Sequence, residues 1–354
     1  MLDLSDSDDE FIPQVPQNSG AIRKRRIFRP RANFTFLPYE NQWRFRLLDE
    51  KVQMICDLVS PYISHETNRN CALSAEQQCK LAIRYLATGG NLRLVGDAHG
   101  VDKATVSRTV QRFVNALNTH LLPRYVKWPT TDAALENMTE QFRAIAAIPC
   151  VMGCVDGTRI SIKKPSANED QFINRHGTCS LNVMLVCGPD LKFYYADARW
   201  PGSVADARVF RNSSLNNRLQ SGTFNPVPGG FLLGDSGYGN CNYLITPIIN
   251  PQSIQEERFN TAHKKTRRLV ECAIGLLKQR FRCLLDKMYL RPDRSARAIL
   301  ACVVLHSICI GPVDVAQVDH AEQIVDANLK AEAPSDDEAA PQNFDRRAQI
   351  VNLL

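Results

Sequence analysis

From Pro149 onward the chain breaks into short apolar runs closed by turn residues, and two of those runs lead into an aspartate. Residues 151–155 run into Asp156-Gly157, and 231–233 run into Gly234-Asp235-Ser236-Gly237. Such runs, bounded by Gly, Pro and Asp, read as buried strands. Further strands are expected at 181–187, closed by Gly188-Pro189-Asp190, at 193–196 and at 244–249. Between them Ser203 can cap a helix over 204–219. A long helix over 264–281 and a last apolar helix over 295–310 complete a mixed α/β order.

If the two aspartate strands are parallel neighbours, a ligand collects just beyond their carboxyl ends. Two carboxylates held together there repel unless a cation lies between them. Glu271 follows Asp235 at a distance that leaves room for a loop, a strand and the first turns of a helix, so it can reach the same place. Asp206 follows Trp200-Pro201-Gly202-Ser203-Val204-Ala205. It is either a fourth metal-facing acid or the acid favoured in a helix's first turn. Each acid alone has an ordinary reading too, because Asp-Gly and Asp-Ser-Gly are common turns.

On the helix expected over 264–281, Val270, Ile274, Leu277 and Phe281 form a core stripe. Arg267, Glu271, Gly275, Lys278 and Arg282 run beside it at helical spacing. Lys264, Lys265, Arg267 and Arg268 would crowd the start of that helix, against its macrodipole, and an anionic ligand would explain them.

Upstream, residues 31–128 read as a helical domain and 129–310 as the α/β domain. Ser74 and Gln77 form a capping box, a short helix fits 92–98, and Asp102 caps a third helix. Val106, Val110, Phe113, Val114 and Leu117 face inward on that helix. Lys103, Thr105, Ser107, Arg108, Gln111 and Arg112 face outward. Helix, glycine turn and basic-faced helix make a helix-turn-helix pattern, with Lys103, Arg108 and Arg112 directed at DNA.

Charge supports a polyanion partner. The net charge of +6 divides into −5 for residues 1–20, −6 for 311–354 and +17 for 21–310. Residues 1–30 lack hydrophobic periodicity and read as a disordered tail. In it Arg23, Lys24, Arg25 and Arg26 form a candidate nuclear-import cluster, so the nucleus is expected, with a cytoplasmic pool left open. Residues 311–354 read as a largely disordered acidic tail. The longest apolar stretch, 298–310, is 13 residues and too short to span a bilayer. It contains His306, which reads as a core histidine. The 12 cysteines lack zinc-site spacing and read as reduced core thiols.

Four blocks together carry a resemblance: GCVDGTRISI, WPGSVADARVF, GDSGYGN, and RRLVECAIGLLKQRF followed by ILACVVLHSICI. They resemble the PIF/Harbinger transposases and the Harbinger transposase-derived nuclease, over roughly residues 45–310. The resemblance implies an RNase H-like mixed sheet flanked by helices, preceded by an all-α helix-turn-helix-like domain. It implies a DDE triad at Asp156, Asp235 and Glu271, with Asp206 in a retained block. The expected function is metal-dependent cleavage of DNA on two Mg2+ or Mn2+ ions. Lys278, Arg267 and Arg282 would neutralise flanking phosphates. A Myb-like partner protein is implied as well. A homodimer is compatible with this reading, although no zipper pattern is present. The alternative is a transposase-derived DNA-binding regulator that no longer cuts.

Overall fold

A computed structural model describes residues 38–67, 71–311 and 346–353. The basic cluster Arg23–Arg26 and most of the two tails lie outside the described residues.

The first helices are α1 Pro38–Phe45, α2 Asp49–Ile63, α3 Ala75–Thr88, α4 Leu92–His99 and α5 Lys103–Ala116, and side-chain caps start α3, α4 and α5. Ser74 Oγ accepts from Gln77 N at 3.1 Å while Gln77 Oε1 accepts from Ser74 N at 3.1 Å, a reciprocal box at the start of α3. Asp102 accepts from Thr105 N at 2.8 Å and starts α5. Gly100, at φ +66°, ends α4 in the left-handed region that favours glycine. The inward stripe expected on α5 is buried at every position, from Val106 to Leu117. A π-turn at Leu117–Leu121, α6 Leu122–Tyr125 and α7 Asp132–Ala146 lead into the sheet.

The strands are β1 Val151–Ser161, β2 Ser180–Cys187, β3 Phe193–Pro201, β4 Phe231–Leu233 and β5 Leu244–Ile245. They form one five-stranded sheet in the order β3-β2-β1-β4-β5. β1, β2 and β3 pair antiparallel, whereas β4 and β5 run parallel to β1. α8 Asp206–Arg211 and α9 Ser214–Gln220 follow β3. α10 Ile254–Arg280, α11 Pro292–Cys309 and α12 Arg346–Val351 complete the chain. α10 lies on β1, where the Cys154 thiol donates to Thr266 O at 3.4 Å. α11 lies on β3 and also receives the helical region, through Asn118 Nδ2 donating to Arg297 O at 2.9 Å. The described residues all fall in one compact unit.

Several expectations change. β1 continues to Ser161 instead of stopping before Asp156, because antiparallel pairing with β2 extends past that point. Asp156 is therefore a mid-strand residue. β3 likewise runs on to Pro201, whereas β5 stops at Ile245, with Pro247 just beyond. The single helix expected over 204–219 is two, since Ser213 caps a new start by accepting from Asn216 N at 3.0 Å. Ser203 caps nothing; its hydroxyl donates to Gln171 O at 2.6 Å.

The largest change concerns α10, which starts ten residues earlier than expected, at a capping box of Ser253 and Glu256. Lys264, Lys265, Arg267 and Arg268 thus lie in mid-helix, and Glu256 and Glu257 occupy the first turn, where the macrodipole favours acids. No anion at the helix start is needed to explain these four basic residues. In the C-terminal segment α12 docks by burying Ile350 and Val351, with Arg346 donating to Asn242 O at 2.8 Å. No periodicity in that segment predicts a helix.

Candidate active site

The pairing of β1 with β4 brings the first two acids together. Cys154 on β1 is in register with Leu233 on β4. Asp156 and Asp235 each lie two residues beyond that matched pair, and the charge of Asp235 reaches Asp156. β4 ends at Leu233, so the edge of β1 beside Asp156 is left open to the Asp235 turn. Each aspartate is steadied locally. Asp156 accepts from Gly157 N at 2.9 Å, and Asp235 from Gly237 N at 3.1 Å.

α10 contributes the third acid through a basic intermediary. Arg267 stands 3.6 Å from Asp156 Oδ2 and also pairs with Glu271, one helical turn along. The guanidinium is four-fifths buried among these acids. Asp206, the first residue of α8, approaches from the far side of β1. A Cβ at Gly157 would collide with the Asp206 carboxyl group, so only glycine leaves room there. Asn182 on β2 donates to Asp206 at 2.5 Å.

Arg267 pairs with Asp156 and Glu271, and the charges of Asp235 and Asp206 also reach Asp156, so acid outweighs base around that carboxyl. Burial pushes Asp156 up to about 7; Arg267 opposes this, and Asp235, Asp206 and Glu271 add to it. Burial also raises Asp235, again against Arg267 and with Asp206 and Glu271. The Tyr238 hydroxyl, buried among Asp206, Asp156 and Asp235, has no hydrogen-bond partner.

The donor set suits a hard divalent cation in kind, because carboxylate oxygens are what such ions take. The buried, unpartnered phenol beside three acids also marks a place where a hydrated group fits. In the arrangement described, Arg267 holds two of the acids. Among the described residues no three His, Cys, Asp or Glu side chains close on a single point as metal ligands.

The remaining sequence candidates lie elsewhere. Lys103 and Arg108 are exposed on α5. Arg112, also exposed, is pinned by Gln78 Oε1 at 3.0 Å and His65 Nε2 at 2.8 Å. Arg108 and Arg112 line an open groove of about 470 Å3 with Tyr62 and His120, whose rings stack at 3.8 Å. On α10 and just after it, Lys278 is half-buried and Arg282 exposed. His306 is a core residue as expected, with Nε2 3.0 Å from Leu191 O.

Sequence reasoning passed over Asn182, Gly157 and Tyr238. A signal for Asn182 was present: it is the one amide in the apolar run LNVMLVC. Gly157 and Tyr238 lay inside quoted blocks but carry no charge to draw notice.

Residues 155–307 match the model of the DDE superfamily endonuclease family, a span that holds all four acids. The chain is 32% identical over 262 residues to the human protein named Putative nuclease HARBI1, covering 73% of this chain and 74% of that one. It is 30% identical over 296 residues to the rat protein of the same name, covering 79% and 84%. Protein ALP1-like from Arabidopsis thaliana is 27% identical over 291 residues, covering 76% and 70%. No solved structure matches the chain. On this likeness, spanning most of both chains, the chain belongs to the Harbinger transposase-derived nucleases of the DDE endonuclease superfamily.

Proposed function

We propose that this chain is a metal-dependent DNA endonuclease of transposase origin, with Asp156, Asp235 and Glu271 as its triad on an RNase H-like sheet. The observation that carries the reading is the shared level of Asp156 and Asp235 beyond the Cys154–Leu233 pair, with Glu271 linked to Asp156 through Arg267. Asp156, Asp235 and Glu271, with Asp206 beside them, would hold Mg2+ or Mn2+, two ions in the full reading. Such ions supply Lewis acidity, which lowers the pKa of an attacking water or 3′-hydroxyl and stabilises the leaving oxygen.

The chain's own residues do the rest. Burial keeps the carboxylates poorly hydrated, which strengthens their hold on a cation. Lys278 and Arg282 extend the α10 stripe and neutralise phosphates that flank the scissile bond. α4 and α5 serve as a helix-turn-helix that docks duplex DNA, with Lys103, Arg108 and Arg112 on its outward face. DNA is the proposed substrate, and the nucleus the proposed place of action.

The test is a Mg2+- or Mn2+-dependent nicking assay on supercoiled DNA. Wild-type protein is expected to nick, and Asp235→Ala to lose at least about 100-fold of that activity while keeping its DNA affinity. Undiminished nicking by Asp235→Ala removes the site assignment.

One observation favours a second reading, a DNA-binding regulator that does not cut: Arg267 already neutralises Asp156 and Glu271. Wild-type protein that binds DNA yet never nicks it, at any Mn2+ concentration, selects that reading.

A further inference from the structure

Every residue of β2 is buried, and Asn182 is fully so. A buried amide costs free energy unless it is paired. Asn182 commits both N–H bonds to one short segment: Nδ2 donates to Val204 O at 2.8 Å and to Asp206 Oδ1 at 2.5 Å. That segment is the entry to α8, whose N-cap, Ala205, has no side chain able to cap. An acid in a first turn is ordinarily free to turn towards its own helix N–H groups. Here Asn182 claims the carboxylate instead, and the bare Cα of Gly157 gives it space against β1.

We propose that Asn182 is a positioning residue, which holds the Asp206 carboxylate in the acid cluster as a fourth cation-facing group. This rests on the metal-site reading above. The charge of Asp206 reaches Asp156, Asp235 and Tyr238, so the tether keeps it in the cluster and not at the surface. The Asn182 Oδ1 atom is itself buried without a partner. A lone acceptor next to a carboxylate is satisfied by water, which a hydrated cation brings with it.

The test is calorimetric titration of the full chain with Mn2+, with thermal melting of the metal-free protein alongside. A partner that orients a metal ligand is worth about 10–100-fold in affinity. Asn182→Ala is expected to weaken Mn2+ binding at least about tenfold, as is Asp206→Asn, with no further loss in the double variant. A purely structural role would lower the melting temperature and leave Mn2+ affinity unchanged; that result, or losses that add in the double variant, overturns the proposal. If Asn182→Ala does not fold, Gly157→Ala displaces the same carboxylate from the other side. Unchanged Mn2+ affinity in that variant overturns the proposal equally. Wild-type protein that takes up no Mn2+ overturns the metal-site reading and this proposal together. Mn2+ uptake that Asn182→Ala leaves intact overturns this proposal alone.

Discussion

Two buried polar clusters lie at opposite extremes of satisfaction. Around His306 every group is paired. Arg280 can only donate, so at 3.2 Å its Nη1 fixes Nδ1 as the acceptor and leaves Nε2–H to donate to Leu191 O at 3.0 Å. Burial, with Arg280 adding to it, drives the imidazole down to about 3, and it stays neutral. Around Asp156, Arg267 pairs with two acids while the charges of Asp235 and Asp206 add to the cluster, two acids are raised, and a buried phenol and a buried amide oxygen have no partner. A closed polar network specifies a fold. An open one is tolerated when something outside the chain completes it, which is why a perturbed cluster marks a functional site.

That contrast is breakable by mutation. The largest effect is expected at the closed cluster. His306→Ala leaves a cavity and strips both Leu191 O and Arg280 of a buried partner, so urea denaturation is expected to register a loss of about 3–5 kcal/mol, unaltered by Mn2+. A loss below about 1 kcal/mol would mean that the network is not the structural element described here.

Arg267→Gln comes next. It removes the guanidinium that pairs with Asp156 and Glu271, so the metal-free protein is expected to lose about 1–3 kcal/mol. Mn2+ is expected to restore most of that loss in a thermal-shift titration, since it neutralises the same acids. A deficit that Mn2+ leaves untouched would make Arg267 a packing residue.

The effect expected from Asp156→Asn grows with pH. The folded carboxyl titrates near 7 and the unfolded one near the ordinary aspartate value of about 3.9. The folded state thus holds its proton longer, and the wild type loses stability from this group as pH rises between those values, the loss being complete above about 7. Asn carries no such loss, so Asp156→Asn should melt higher than wild type at pH 8 without metal. At pH 4 that advantage should vanish. A difference that stays constant across this range would show Asp156 to be ionised throughout.

Much of the architecture was legible locally. The capping box at Ser74, the cap at Asp102, the stripe from Val106 to Leu117 and the strand Phe231–Leu233 depend on neighbours within a few residues, and the structure has them where local pattern puts them. The Ser253-x-x-Glu256 box follows the same local rule, and it sets the start of α10 ten residues ahead of the basic run Lys264–Arg268. The length of β1 was not legible, because Asp156-Gly157 reads as a turn until β2 pairs with it.

The sequence by itself determined which residues are acidic, where helices are capped and which faces are apolar, because these follow from side-chain chemistry and local hydrogen bonds. Only the tertiary structure decided that Asp156 and Asp235 share a level, that Gly157 yields space to Asp206, that Asn182 tethers it and that Arg267 turns inward. Those relations join residues far apart in the chain. They exist only once strand register and the seating of α10 on β1 set the distances over which charges act.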